Sequence, residues 1–294
     1  MLSVFTATPA TDEAFGLAEG PIWDDAKGRL LWVDIPNGLV LEGVLEGDRL
    51  RIVERNEFGE NVGAVALRQG GGYLVAAQEC LIEVAVDGTR TPGPRVIASG
   101  EPRRMNDGST DPAGRFLVGT LSFGTSSNEE LVRLRRDGSL EVIDDDLTLS
   151  NGLAWSVDGS VMYSVDSLTQ RVWKRAYDVA TGEVGPRAVH LTIEDGKPDG
   201  ICIDAMDHLW VAIWGGGQVR RFAPDGSQVA RVEVAAPHTS SMAFAGPDLD
   251  QLVITSATVE LTDEQLATYP MSGHLFSARV GVTGLPSVRW NPQA

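Results

Sequence analysis

Short apolar runs, each introduced by a turn rich in Asp and Gly, recur along the whole chain. They read DDAKGRLLWVD at 24–34, RQGGGYLVAAQ at 68–78, DPAGRFLVGT at 111–120, SVDGSVMYSVD at 156–166, DAMDHLWVAI at 204–213 and GPDLDQLVITS at 246–256. The first apolar residues after the turns are Leu30, Tyr73, Phe116, Val161, Leu209 and Leu252, at intervals of 43, 43, 45, 48 and 43. Another apolar run precedes most of these turns, as in GPIW at 20–23 and GLAW at 152–155, and a third follows, as in GLVLEG at 38–43 and RVWKRA at 171–176. The runs are short and lack helical spacing, so they predict antiparallel meanders. A unit of roughly 40–50 residues with about four strands is the size of one propeller blade. The pattern therefore predicts an all-β fold: a six-bladed β-propeller of four-stranded antiparallel blades, filling residues 1–294 as one domain. A β-sandwich would not need sixfold periodicity.

Composition narrows the function classes. Acidic residues outnumber basic ones 41 to 24, for a net charge of −17. Such a surface repels phosphate backbones and anionic lipid, which argues against nucleic-acid and membrane partners and leaves room for a cation. Cys80 and Cys202 alone make neither a disulfide framework nor a zinc quartet. No basic leader and no 18-residue apolar run occurs, so the expectation is a soluble, cytoplasmic protein.

In a propeller the innermost strand of each blade lines a central axis, so residues at one phase of the repeat form a ring. Ten or eleven residues before the six anchors stand Glu19, Val62, Met105 with Asn106, Asn151, Asp199 and Ser241. Glu19, Asn151 and Asp199 are each followed by Gly, and Asn106 opens Asn106-Asp107-Gly108. Gly there permits close backbone approach or an unusual φ. Any one such dipeptide is an ordinary turn; their shared phase is what points to a site. Carboxylates and amides converging on an axis resist desolvation unless a cation sits between them. Oxygen donors without His or Cys suit Ca²⁺, Mg²⁺ or Mn²⁺, and zinc or iron remain open.

Other features carry less. The runs Gly70–Gly72 and Gly215–Gly217 do not join a strand to a helix as a phosphate loop does, and read as turns. No G-x-S-x-G, H-E-x-x-H or C-x-x-C occurs. Asp144–Asp146 reads as a solvated acidic turn. Trp23, Trp32, Trp155, Trp173 and Trp210 read as packing between blades, Trp214 as a residue of the channel rim, and His238 as a polar surface residue near the mouth.

The stretches LAEGPIWDDAKGRLLWVDI, RMNDGSTDPAGRFLVGTL, LSNGLAWSVDGSVMYSVDS, KPDGICIDAMDHLWVAIWGGGQVRRFAPDG and SSMAFAGPDLDQLVITSA span nearly the whole chain. In them the sequence resembles the gluconolactonase/regucalcin (senescence-marker protein)/luciferin-regenerating-enzyme family, and within it the bacterial sugar-lactonase branch. The resemblance implies one catalytic divalent metal on the axis of a six-bladed propeller, hydrolysing aldonolactones to aldonic acids. It matches Glu19, Asn151 and Asp199 to metal ligands, Arg104 and Asn106 to substrate contacts, and Asp199 also to the general base. Two positions depart from the family pattern. Gly124 stands near where regucalcin-type members carry a substrate-contacting Glu, and His238 replaces a usual Pro.

The implied partner is a small sugar lactone, and the resemblance and acidic charge fit a monomer. Two rivals stand beside the lactonase reading: a metal-dependent hydrolase of another ester or phosphoester, and a non-catalytic propeller that binds a divalent cation. Arg104 beside the metal triad favours an enzyme, since an ion-binding protein would not need it.

Overall fold

The structure, a computed structural model, describes residues 2–124 and 128–294. Six sheets form the molecule, and the anchors found in the repeat all lie at the start of the second strand of a blade. The first strands of the blades are Ala18–Asp24, Ala64–Leu67, Arg103–Thr110, Ser150–Trp155, Lys197–Ile203 and Thr239–Ala245. Each packs on the first strand of the next blade and the sixth returns to the first, closing a ring. From this ring each sheet steps outward through antiparallel neighbours. The predicted six-bladed β-propeller is the observed fold.

Closure uses the chain's beginning. Thr8–Pro9 pairs with Phe276–Arg279 and completes blade 6 as its outermost strand. Ser3–Thr6 runs parallel to Gln228–Glu233, so blade 5 has five strands where four were expected. The chain's end crosses the opposite face. Asp204 bridges Gly284, Trp290 pairs with Arg68 and is buried, and the Arg289 guanidinium binds Asp24 and Asp25 at 2.6 Å each.

The apolar core lies between blades. Leu31 and Val33 of blade 1 pack on Val65, Leu67 and Val75 of blade 2, and equivalent clusters separate the other pairs. Trp32 and Trp210 are fully buried, the first edge-on to Phe15 and the second edge-on to Phe244. Trp23 and Trp155 are also buried. Trp173 differs: it is half-buried, with the Arg171 and Arg187 guanidinium groups near its ring. Asp144–Asp146 is not a turn but part of the outer strand Leu140–Leu147, where Asp144 binds Arg175 and Asp146 binds Arg187. A short helix, Asp263–Thr268, capped reciprocally by Thr262 and Gln265, interrupts blade 6 between its second and third strands. Among the described residues no helix is long and apolar enough to cross a membrane.

Five of the six inner strands carry a break in register at one place. Ser150 pairs with Asp166 and Leu153 with Ser164, three steps on the inner strand against two on its partner. The same three-against-two step spans Glu19–Ile22, Met105–Gly108, Pro198–Ile201 and Thr239–Met242. Blade 2, which has apolar Val62 at this phase, pairs without a break. Such one-residue bulges bend the strand and re-aim side chains. Here they turn the axial residues toward the centre and bring neighbouring inner strands close. A Cβ on Gly152 would stand 2.6 Å from the Asp199 carbonyl oxygen, and one on Gly200 would stand 2.2 Å from the Ser241 hydroxyl. Gly20 instead uses a positive φ of 51°. Gly152→Ala is expected to cost about 1–3 kcal/mol, because backbone must move to admit the methyl group. Gly124→Ala, where a Cβ meets nothing within 4 Å, is the matched control and should stay within about 0.5 kcal/mol. Thermal unfolding of both variants checks this; equal stabilities would refute the close-approach role.

Candidate active site

All five site residues predicted from the sequence line one cavity of about 110 Å³ at the start of the inner strands. Glu19 comes from blade 1, Arg104 and Asn106 from blade 3, Asn151 from blade 4 and Asp199 from blade 5. All five are buried.

Hydrogen bonds fix the amides. The Asn106 Nδ2 donates to the Ser150 carbonyl at 2.9 Å and to Asn151 Oδ1 at 3.2 Å, while its own Oδ1 accepts from Arg104 Nη1 at 2.6 Å. The Asn151 Nδ2 donates to Ser167 Oγ at 3.0 Å, and Ser167 Oγ donates to the Pro198 carbonyl at 2.7 Å. With its nitrogen held by Ser167, Asn151 presents its oxygen on the opposite side, toward Asn106. Arg104 Nη1 also bonds the Met105 carbonyl at 3.0 Å.

The carboxylates are less well served. Glu19 Oε2 accepts from the Gly20 amide at 2.9 Å. Asp199 Oδ1 is buried without any hydrogen-bond partner. Burial, then the charges of Asp199 and Asp107, push Glu19 well above the usual carboxylate range. Burial and the charge of Asp107 do the same to Asp199, against the Asn151 amide and the positive charges of Arg104 and Lys197. Burial pulls the Arg104 guanidinium down to about 10, against the attraction of Glu19 and Asp199, so it remains charged at neutral pH. Arg104, with Lys197 acting on Asp199, thus faces two buried carboxylates, with a third nearby. The orphaned Asp199 oxygen and the mutual repulsion are what a divalent cation would relieve. The donors fit a hard cation: two carboxylates and amide oxygens. Among the described residues no group of three or more His, Cys, Asp or Glu side chains is placed to hold a metal, so any such ion must use the amides too.

Trp214 completes the cavity together with neighbours that carry no clear sequence signal: Lys197, Val259, Glu260, Leu17, Leu121, Leu149 and Ser167. Lys197 lies two residues before Asp199 and, like it, on the inner strand, while Val259 and Glu260 belong to the blade 6 insertion, outside the repeat. Trp214 is at the rim as expected. His238 is buried rather than on the surface, stacked on Trp214. Gly124 is exposed beyond the strand Phe116–Ser122, and Thr125 to Ser127 lie outside the described residues. Asp107 and Ser241 face the other way. Inner-strand residues within and after the bulge, including Asp107, Ser241, Leu153 and Ile201, line a second cavity of about 290 Å³ that Leu285 and Val288 of the chain's end also line. There burial raises the Asp107 carboxyl to about 6.

Residues 17–258 match the SMP-30/gluconolactonase/LRE-like region. The chain belongs to that family. It is 34% identical over 284 residues to regucalcin of Xenopus laevis, covering 93% of this chain and 94% of that protein. It is 32% identical over 291 residues to pentonolactonase XacC of Haloferax volcanii, covering 97% and 98%. Among solved structures, a calcium-binding protein, regucalcin, from Agrobacterium tumefaciens superposes with a TM-score of 0.90 at 27% identity, covering 99% of both chains. The family thus includes sugar lactonases and a calcium-binding member, and its fold is that of this chain.

Glu19→Gln separates a site built for a cation from an ordinary buried polar cluster. Removing one of the mutually repelling charges should stabilise the chelator-treated protein by roughly 0.5–2 kcal/mol, while shrinking the stabilisation that added Ca²⁺ or Mn²⁺ confers. Thermal unfolding with chelator and with each ion measures both. A less stable chelator-treated variant would contradict the electrostatic reading.

Proposed function

We propose that the protein is a metal-dependent lactonase that opens aldonolactones to aldonic acids. The observation that carries this reading is the convergence of Glu19, Asn151 and Asp199 with Arg104 and Asn106 in one buried cavity. Lactonase and calcium-binding relatives support it. Glu19, Asn151 and Asp199 are the residues to hold the ion. A divalent cation there supplies fixed positive charge against the negative charge that grows on the carbonyl oxygen during attack.

The chain's own residues do the rest. Arg104 and Asn106, locked to each other and to Ser150, orient the lactone through its carbonyl or hydroxyl groups. Water adds to the carbonyl carbon, and the ring C–O bond then breaks. Asp199 takes a proton from that water and delivers it to the departing ring oxygen. A nearby cation lowers the basicity of Asp199, whereas burial and Asp107 raise it. The product is a carboxylate, which the acidic protein helps expel. Arg104 is what distinguishes this reading from a protein that only stores a cation.

A pH-stat assay against five- and six-membered aldonolactones, with and without chelator, tests the proposal. Turnover that chelator abolishes and a divalent ion restores is the expected result; no turnover of any aldonolactone under saturating metal would overturn it. Asp199→Asn then separates base from ligand. As base, its loss lowers kcat by roughly 10²–10⁴-fold even at saturating metal. Recovery by excess metal to within about threefold of the unaltered enzyme, far short of a general-base effect, would leave Asp199 a ligand alone.

A further inference from the structure

Beside the carboxylates, one aromatic group lines the cavity, and it is held unusually firmly. Trp214 ends the second strand of blade 5, paired there with Lys197, and its backbone bridges His238 at the start of blade 6. The two rings stack with centroids 4.1 Å apart and planes 13° from parallel. His238 is itself clamped. Its carbonyl accepts from the Ala257 amide at 3.0 Å, and its Nδ1 lies 3.0 Å from the Val259 carbonyl oxygen. A carbonyl can only accept, so Nδ1 carries the proton and donates. Burial holds the imidazole pKa below its usual value, which keeps the ring neutral and favours stacking over hydration. Glu260, at φ 63°, turns the chain just after that carbonyl and also lines the cavity.

Because one indole face lies against His238, the indole surface that lines the cavity is what His238 leaves uncovered. We propose that Trp214 is the platform on which the C–H face of the substrate's ring lies, with His238 behind it as a positioning residue. A lactone ring is neutral and carries polarised C–H bonds beside its oxygens. Such hydrogens suit the electron-rich face of an indole. The hydroxyl edges of the ring then reach Lys197 and Glu260, the charged residues at the same mouth. The platform selects small cyclic polyols with one face free of hydroxyl groups. It acts on binding rather than on bond breaking. This inference rests on the lactonase reading for its substrate, but not for its test.

The experiment compares Trp214→Leu, Trp214→Phe, His238→Ala and His238→Phe with the unaltered protein. Steady-state kinetics use D-erythrono-1,4-lactone, whose two hydroxyl groups share one ring face, and calorimetry uses 1,4-anhydroerythritol, the same ring without the reactive carbonyl. Trp214→Leu should raise KM and the anhydroerythritol Kd together by about three- to tenfold, with kcat changed by less than about twofold. Trp214→Phe keeps an aromatic face and should stay within about threefold. His238→Ala should weaken binding and His238→Phe should restore it, a rescue that a merely structural histidine would not show. If Trp214→Leu leaves KM and Kd within about twofold, less than one stacked aromatic contact, the platform is refuted. Should Trp214→Leu fail to fold, equal Kd values for His238→Ala and the unaltered protein would refute it instead. An unaltered protein that binds anhydroerythritol but turns over no lactone overturns the lactonase reading while the Kd series still decides the platform. One that neither binds nor reacts overturns both.

Discussion

Buried negative charge at the axis is the constraint on which the rest of the structure turns. Glu19 and Asp199 are buried, repel each other, and share one guanidinium, while Asp107 adds its field from the next cavity along the channel. Left alone, such a group costs stability, and Asp199 Oδ1 lacks even a hydrogen-bond donor. A fold keeps that arrangement only where something else over-determines it. Here the over-determination comes from the ring of inner strands, each locked between two apolar inter-blade layers. The N-terminal strands, which knit blade 6 to the start of the chain, prevent the ring from opening.

The bulges are how the sheet delivers those charges. A regular strand alternates its side chains between the two faces of the blade and would aim few of them along the axis. Inserting one residue in five inner strands at matching places sends Glu19, Asn106, Asn151 and Asp199 to one cavity and the residues after them to another. Blade 2 has no bulge and contributes no polar group to the first cavity. The site is therefore lopsided: five blades supply donors or walls, and blade 2 supplies neither. The rim is lopsided too, with blades 5 and 6 supplying the Trp214–His238 stack and the Glu260 turn.

Much of this was visible in the sequence, for identifiable reasons. The second strands are buried on both faces, so they print near-continuous apolar runs at an even period. The axial residues were found because a bulge demands Gly at its tight points, leaving Glu19-Gly20, Asn151-Gly152 and Asp199-Gly200 as its trace. The fourth strands left none: Arg49–Glu57 and Arg90–Arg95 are mostly exposed and bury too little to impose a pattern. The extra strand on blade 5 and the closing strand of blade 6 come from the chain's first residues, paired with partners more than two hundred positions away. Trp173 misled because a strand tryptophan is ordinarily core, and here two arginines cover it instead. His238 differs for the opposite reason, a polar side chain buried because its hydrogen bond goes to Val259, 21 residues on and outside the repeat, and its ring is apolar enough to stack.

The central claim is that the axial carboxylates and amides exist to hold one divalent cation. Anomalous diffraction from crystals soaked in Mn²⁺ tests it most directly. A single strong peak among Glu19, Asn151 and Asp199, within about 2.0–2.6 Å of their oxygens, is the predicted result. An empty axis at saturating Mn²⁺, with Asp199 Oδ1 satisfied by water instead, would contradict it.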